Sequence, residues 1–129
     1  EHLAMRDVPL AIYEIRRVLK TGGRAVLVVP DFSDIARQWI EFEKRFHPVI
    51  YVWFSEIIFG NQWHEGEYHR SAFSPDFLKY LLEGAGFHRY TMYMYPRDAT
   101  LEKSTFPGVQ EICEGMVLRN AMIITDILK

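Results

Sequence analysis

The sequence predicts an α/β domain with a small mixed sheet, its strands near 24–30, 88–95 and 118–128, and helices flanking it. Three observations carry this. Ala25 to Val29 is apolar at every position, as in a parallel-sheet strand buried on both faces. It follows an amphipathic segment stopped by Gly22-Gly23. Further on, Ser74-Pro75-Asp76 opens a well-marked helix that leads through Gly84 and Gly86 to an alternating segment, Arg89 to Tyr95.

Each element has its own reason. Asp7 is placed to cap the first helix, with Pro9 tolerated in its first turn. Val8, Ile12, Ile15 and Leu19 recur at helical spacing, and Arg16, Arg17 and Lys20 suit the dipole at its end. Gly22 and Gly23 supply a positive-φ exit. Pro30 and Asp31 close the strand that follows. Ser33 or Asp34 caps a second helix, roughly 34–46, with Ile35, Trp39, Phe42 and Phe46 on one face, and Pro48 interrupts it. Val49 to Phe59 is strongly apolar with an ambiguous period, which we read as helix. Gly60 to Ala72 is a polar and aromatic loop, expected to be the most mobile internal segment and the best ligand-binding candidate. Phe77, Leu78, Leu81 and Leu82 stripe the helix after Ser74. Residues 97–108 read as loop, 109–114 as a short helical turn, and 118–128 as the last strand.

The chain has 129 residues, which makes one domain, 1–129, long enough to bury a core. Charged residues at 25% and hydrophobic ones at 49% exclude a disordered composition. A net charge of −2 without a basic run argues against nucleic acid as a partner. No apolar run reaches membrane-spanning length, since Ser55 and Glu56 break the longest. The single cysteine, Cys113, excludes an internal disulfide and has no neighbouring helper to activate it. A cytoplasmic location is expected.

Several short segments, in order, resemble class I S-adenosylmethionine (SAM)-dependent methyltransferases of the small-molecule branch. Glu1-His2-Leu3 resembles the "EHL" after the family's fourth strand. Arg17 to Gly23 resembles "RVLKPGG", with Thr21 replacing proline, and Val28 to Asp31 resembles the end of the fifth strand. Gly60 to Gln62 with His69 to Phe73 resembles a "YGxQ…HRxxF" insert, and Leu81 to Phe87 resembles "LLExAGF" before the sixth strand. The resemblance implies the C-terminal half of a Rossmann-like fold, in which the fifth strand lies between the fourth and the last. It also implies SAM as the cofactor of an intact enzyme.

The family's glycine-rich loop after a first strand, and its acidic ribose-binding residue, have no counterpart here. Gly22-Gly23 follows a helix and precedes a strand, the reverse of the required order. No cofactor is therefore expected for this chain alone. The expected function is that of a methyltransferase C-terminal portion without SAM binding or catalysis of its own. The alternative is a non-catalytic module that self-associates or binds a small ligand.

Catalytic and cofactor-binding residues remain unassigned on this reading. In the resembling branch the loop lies over the acceptor pocket, so Tyr68, His69 and Arg70 become substrate-binding candidates. Asp31 joins them because open α/β sheets place functional groups after buried strands, although a turn or helix cap would use it equally well. Glu1 and His2 would border the cofactor cleft of an intact enzyme, but fraying is expected at a terminus. His64, Glu65 and His69 match no firm ligand spacing, and His47 or His88 could join them only through the fold, so no metal is expected. The aromatic run Phe46, Tyr51, Trp53, Phe54, Phe59 and Trp63 reads as core or oligomer surface. Loss of a neighbour for strand 24–30 would leave an unprotected apolar edge, so a homodimer is expected.

Overall fold

The computed structural model describes residues 1–44, 48–98 and 119–129. The expected turn at 109–114, Cys113, His47 and Phe46 lie outside the described residues, as does the loop expected at 97–108 apart from Arg97 and Asp98.

A single 3-10 turn, Met5–Asp7, leads into α1, Val8–Val18. Asp7 stands at the N-cap position, but its carboxylate accepts no capping bond. The preceding turn has already drawn it into helical backbone geometry, with its amide bonded to Ala4 O at 2.8 Å. At the other end Leu19 N reaches Ile15 O at 3.1 Å, and Gly22 takes the left-handed conformation, φ 77°, that turns the chain into β1, Arg24–Pro30.

The second half alternates helix and strand less regularly. Helix α2 is Phe32–Glu43, α3 is Pro48–Phe59, and α4 is Pro75–Gly84. Strands β2, Arg89–Asp98, and β3, Arg119–Leu128, complete a three-stranded sheet of order β1-β3-β2. Both pairings are antiparallel: Ala25, Leu27 and Val29 lie opposite Ile127, Thr125 and Ile123, while Tyr90 and Met92 lie opposite Ile127 and Thr125. The expected mixed sheet is thus corrected. β1 and β2 run the same way, but β3 separates them, so among the described residues no two strands of the sheet pair in parallel.

The expectation that 25–29 is buried on both faces is also overturned. Burial alternates along β1, and Val26 and Val28 are 61% and 49% exposed. Two-sided apolarity in the sequence cannot distinguish a second covering layer from an uncovered apolar face, and here the outer face of β1 is open. The inner face carries the core. Val8 and Ile12 of α1, with Leu78, Leu81 and Leu82 of α4, pack with Phe73, Phe87, Ile123 and Ile127. Ser74 caps α4 by accepting the Phe77 amide at 3.2 Å. Gly86, φ 85°, ends it, and its carbonyl accepts Arg16 Nε at 3.2 Å, which ties α1 to α4. Burial, with the Glu83 carboxylate that accepts its hydroxyl at 2.9 Å, raises the Tyr90 pKa above its ordinary value.

A second apolar cluster joins α2 to α3 through Ile35, Ile50 and Phe54, with Trp39, Phe42, Trp53, Ile57 and Ile58 against them. Trp39 meets Phe54 edge to face at 5.3 Å. The aromatic run is therefore split: Phe54 is core, whereas Tyr51, Phe59 and Trp63 are exposed. Among the described residues, no helix is long and apolar enough to cross a membrane.

The two faces of the sheet predict opposite sensitivities. Ile127→Ala should lose about 2–5 kcal/mol of unfolding free energy in a urea titration, because it empties a fully buried site. Val28→Asp, on the open face, should stay soluble and lose roughly 1 kcal/mol or less. Thr125, fully buried on the inner face of β3, has a hydroxyl without a hydrogen-bond partner among the described residues. Thr125→Val should raise stability by about 1 kcal/mol in the same titration, since it keeps the shape and removes the unmet polar group.

Candidate functional site

The carboxyl end of β1 is where chemistry-bearing residues gather, and backbone pairing brings them there. Phe32 N donates to Phe73 O at 2.9 Å, in an isolated parallel bridge between Asp31 and Phe73. This lays residues 69–73 beside the end of the strand. Asp31, 3% exposed, turns inward, and its Oδ1 accepts the amides of Ser33 at 3.0 Å and Asp34 at 3.2 Å. It is the N-cap of α2, in place of the Ser33 or Asp34 expected there.

The loop from Gly60 to Ala72 is closed at its neck. His69 N donates to Phe59 O at 3.0 Å, and a 3-10 turn at Glu65–Glu67 folds the tip back. Glu67 Oε2 accepts Trp63 N at 3.2 Å, and its other carboxylate oxygen stands 3.1 Å from His64 Nε2. Gly60 makes the closure possible. It is left-handed, φ 80°, and a Cβ there would fall 1.6 Å from the Glu67 carbonyl oxygen.

Residues 1 and 2 are held against this loop, contrary to the expected fraying. The amides of Arg70 and Ser71 both donate to Glu1 O, at 2.7 and 3.1 Å. His2 Nδ1 lies 3.3 Å from Tyr68 O, and its ring meets that of His69 edge to face at 5.0 Å. His69 Nδ1 lies 2.8 Å from Ile57 O. The ligand atoms of Glu1, His2 and His69 all lie within 4.8 Å of one another.

A cleft of about 330 Å³ opens beside them, lined by His2, Pro30, Trp53, Glu56, Glu67 and His69 among others. A smaller cavity of about 20 Å³ behind it touches Glu1, Ile35, His69 and Ser71. Ser71 Oγ is buried there without a partner among the described residues. Of the four candidates, His69 lines both cavities. Tyr68 contributes its carbonyl to His2, Arg70 contributes its amide to Glu1, and Asp31 is occupied in capping. Sequence reasoning missed that Glu1 and His2 meet His69. The acid–histidine pair at 1–2 was visible, but no spacing rule links it to a histidine so far along the chain.

No family model, curated protein or solved structure matches this chain.

The neck geometry predicts a graded exchange pattern. In hydrogen–deuterium exchange, the amides of Gly60, His69, Arg70 and Ser71, all bonded to backbone carbonyls, should be protected, whereas those of Asn61 and Gln62 should exchange freely. Gly60→Ala should abolish that protection and lower the melting temperature, because the Glu67 carbonyl must move away.

Proposed function

We propose that residues 1–129 form the C-terminal portion of a SAM-dependent methyltransferase domain, contributing an acceptor-side cleft and not competent to bind SAM alone. The carrying observation is a convergence. The segment that resembles "EHL" and the segment that resembles "HRxxF" stand far apart in sequence, yet Glu1 and His2 contact residues 68–71 at the carboxyl end of β1. Open α/β sheets bind small ligands outside the carboxyl ends of their strands. The pairing of β1 with β3 agrees with the resemblance, which sets the fifth strand beside the last. In an intact parent, methyl transfer would rest mainly on holding the acceptor near the sulfonium, and His69 with Glu56 would offer polar contacts for that purpose.

The upstream reading frame tests this reading. A glycine-rich strand–turn–helix directly before Glu1 is expected and would establish a fragment; a start codon near Glu1 would mean a truncated gene product instead. In a thermal-shift titration, SAM should leave the melting temperature of this chain unchanged. Saturable binding would contradict the absence of a cofactor site.

A second reading, a self-associating module, is favoured by the exposed edge. Among the described residues no strand pairs with the outer edge of β1, whose apolar residues carry no charge from Ala25 to Val29. Two such edges joined about a two-fold axis would satisfy their backbone groups. Sedimentation equilibrium at tens of micromolar should give twice the 15.2 kDa chain mass. Val26→Lys should shift it toward the single-chain mass; a monomeric parent chain would end the dimer proposal.

A further inference from the structure

We propose that Glu1, His2 and His69 bind a divalent transition-metal ion of the zinc class, with an open coordination position beside the cleft. The inference is independent of the methyltransferase reading.

The donor set comes first. Two imidazoles and one carboxylate, all within 4.8 Å, form a set that suits zinc and related ions, and three protein ligands leave one position of a tetrahedral site open. The protonation pattern is the second argument. A backbone carbonyl can only accept, so His2 Nδ1 facing Tyr68 O and His69 Nδ1 facing Ile57 O must both carry their protons. In the neutral rings this leaves each Nε2 with a lone pair. Nδ1–H donation to a backbone carbonyl is also the outer contact that orients metal-binding histidines elsewhere.

The donor atoms also face one another: His2 Nε2 stands 3.6 Å from Glu1 Oε1, a separation that a cation between them would bridge. Tetrahedral ligands on zinc lie roughly 3.3 Å apart, from bonds of about 2.0–2.1 Å, so a modest closure is needed. Rotation of the Glu1 side chain, with a small shift of the half-exposed His2 ring that keeps its contact to Tyr68 O, supplies it. His2 and His69 both line the cleft, through which the open position is reached. That position would take water or a small oxygen ligand.

Calorimetric titration of the tag-free chain with zinc chloride, and separately with cobalt chloride, tests the site. The amino terminus is acetylated so that the amine cannot stand in for a ligand. One equivalent of saturable binding and a raised melting temperature are expected. His2→Ala and Glu1→Gln should each weaken binding by more than the roughly tenfold to hundredfold that follows loss of an outer partner. His88→Ala, on an exposed residue outside the trio, should bind as the parent does. His69→Ala should abolish binding; if that variant fails to fold, exposed His2 still decides the matter. No saturable binding by the folded chain, undiminished binding by His2→Ala, or an equal loss in His88→Ala would each overturn the proposal.

Discussion

Insertion of β3 between β1 and β2 is the constraint on which the rest of the molecule depends. Neither outer strand pairs with the other, so their shared partner supplies the ladder on both sides. The same strand sends Ile123, Thr125 and Ile127 into the layer covered by α1 and α4, all of them fully buried. Full burial of one such isoleucine stabilises by about 1.5–3 kcal/mol. β3 thereby unites hydrogen bonding and core packing in one short segment. Its end is fastened to the turn after α1, where Gly22 N donates to Lys129 O at 2.8 Å and Lys129 N to Gly23 O at 3.0 Å. The Lys129 ammonium also reaches the Leu19 carbonyl.

Local chemistry was the legible part of this chain. The Ser74-Pro75-Asp76 start, the glycine exits at Gly22 and Gly86 and the bounds of β1 all follow from short-range rules that act within a few residues. What escaped was set by the tertiary arrangement. The apolar run 25–29 contains no sign of whether a second layer will cover Val26 and Val28. Asp7 and Asp31 look alike as capping residues, yet only Asp31 has a carboxylate aimed at free amides. The candidate loop was recognisable by composition, but its partners were not: Glu1 and His2 reach it through carbonyl contacts that depend on the path of the backbone.

The end of β1 shows how polar groups near a strand terminus divide between structure and availability. Asp31 is consumed by the first turn of α2, and the Nδ1 of His69 by the last turn of α3. Glu67 closes the loop through Trp63 and His64. What remains free among the described residues is narrower than the sequence suggests, namely the Nε2 side of His69, the Ser71 hydroxyl and the carboxylate of Glu56. Each is held by an element whose position is fixed elsewhere. A site of this kind gains orientation from contacts that have nothing to do with its ligand.

The strand order also has a kinetic side. Helices α2 and α3 are neighbours in sequence and share an aromatic contact surface, so their pairing requires little loop closure. The sheet is different, because Pro30 must find Met122 and Arg24 must find Leu128 before β1 acquires any ladder. A chain emerging from the ribosome would therefore hold a formed helical portion beside two unpaired strands until residues 119–128 arrived. For that interval the β1 edge that awaits β3 offers an apolar, uncharged template from Ala25 to Val29, open to capture by a chaperone or by a wrong partner.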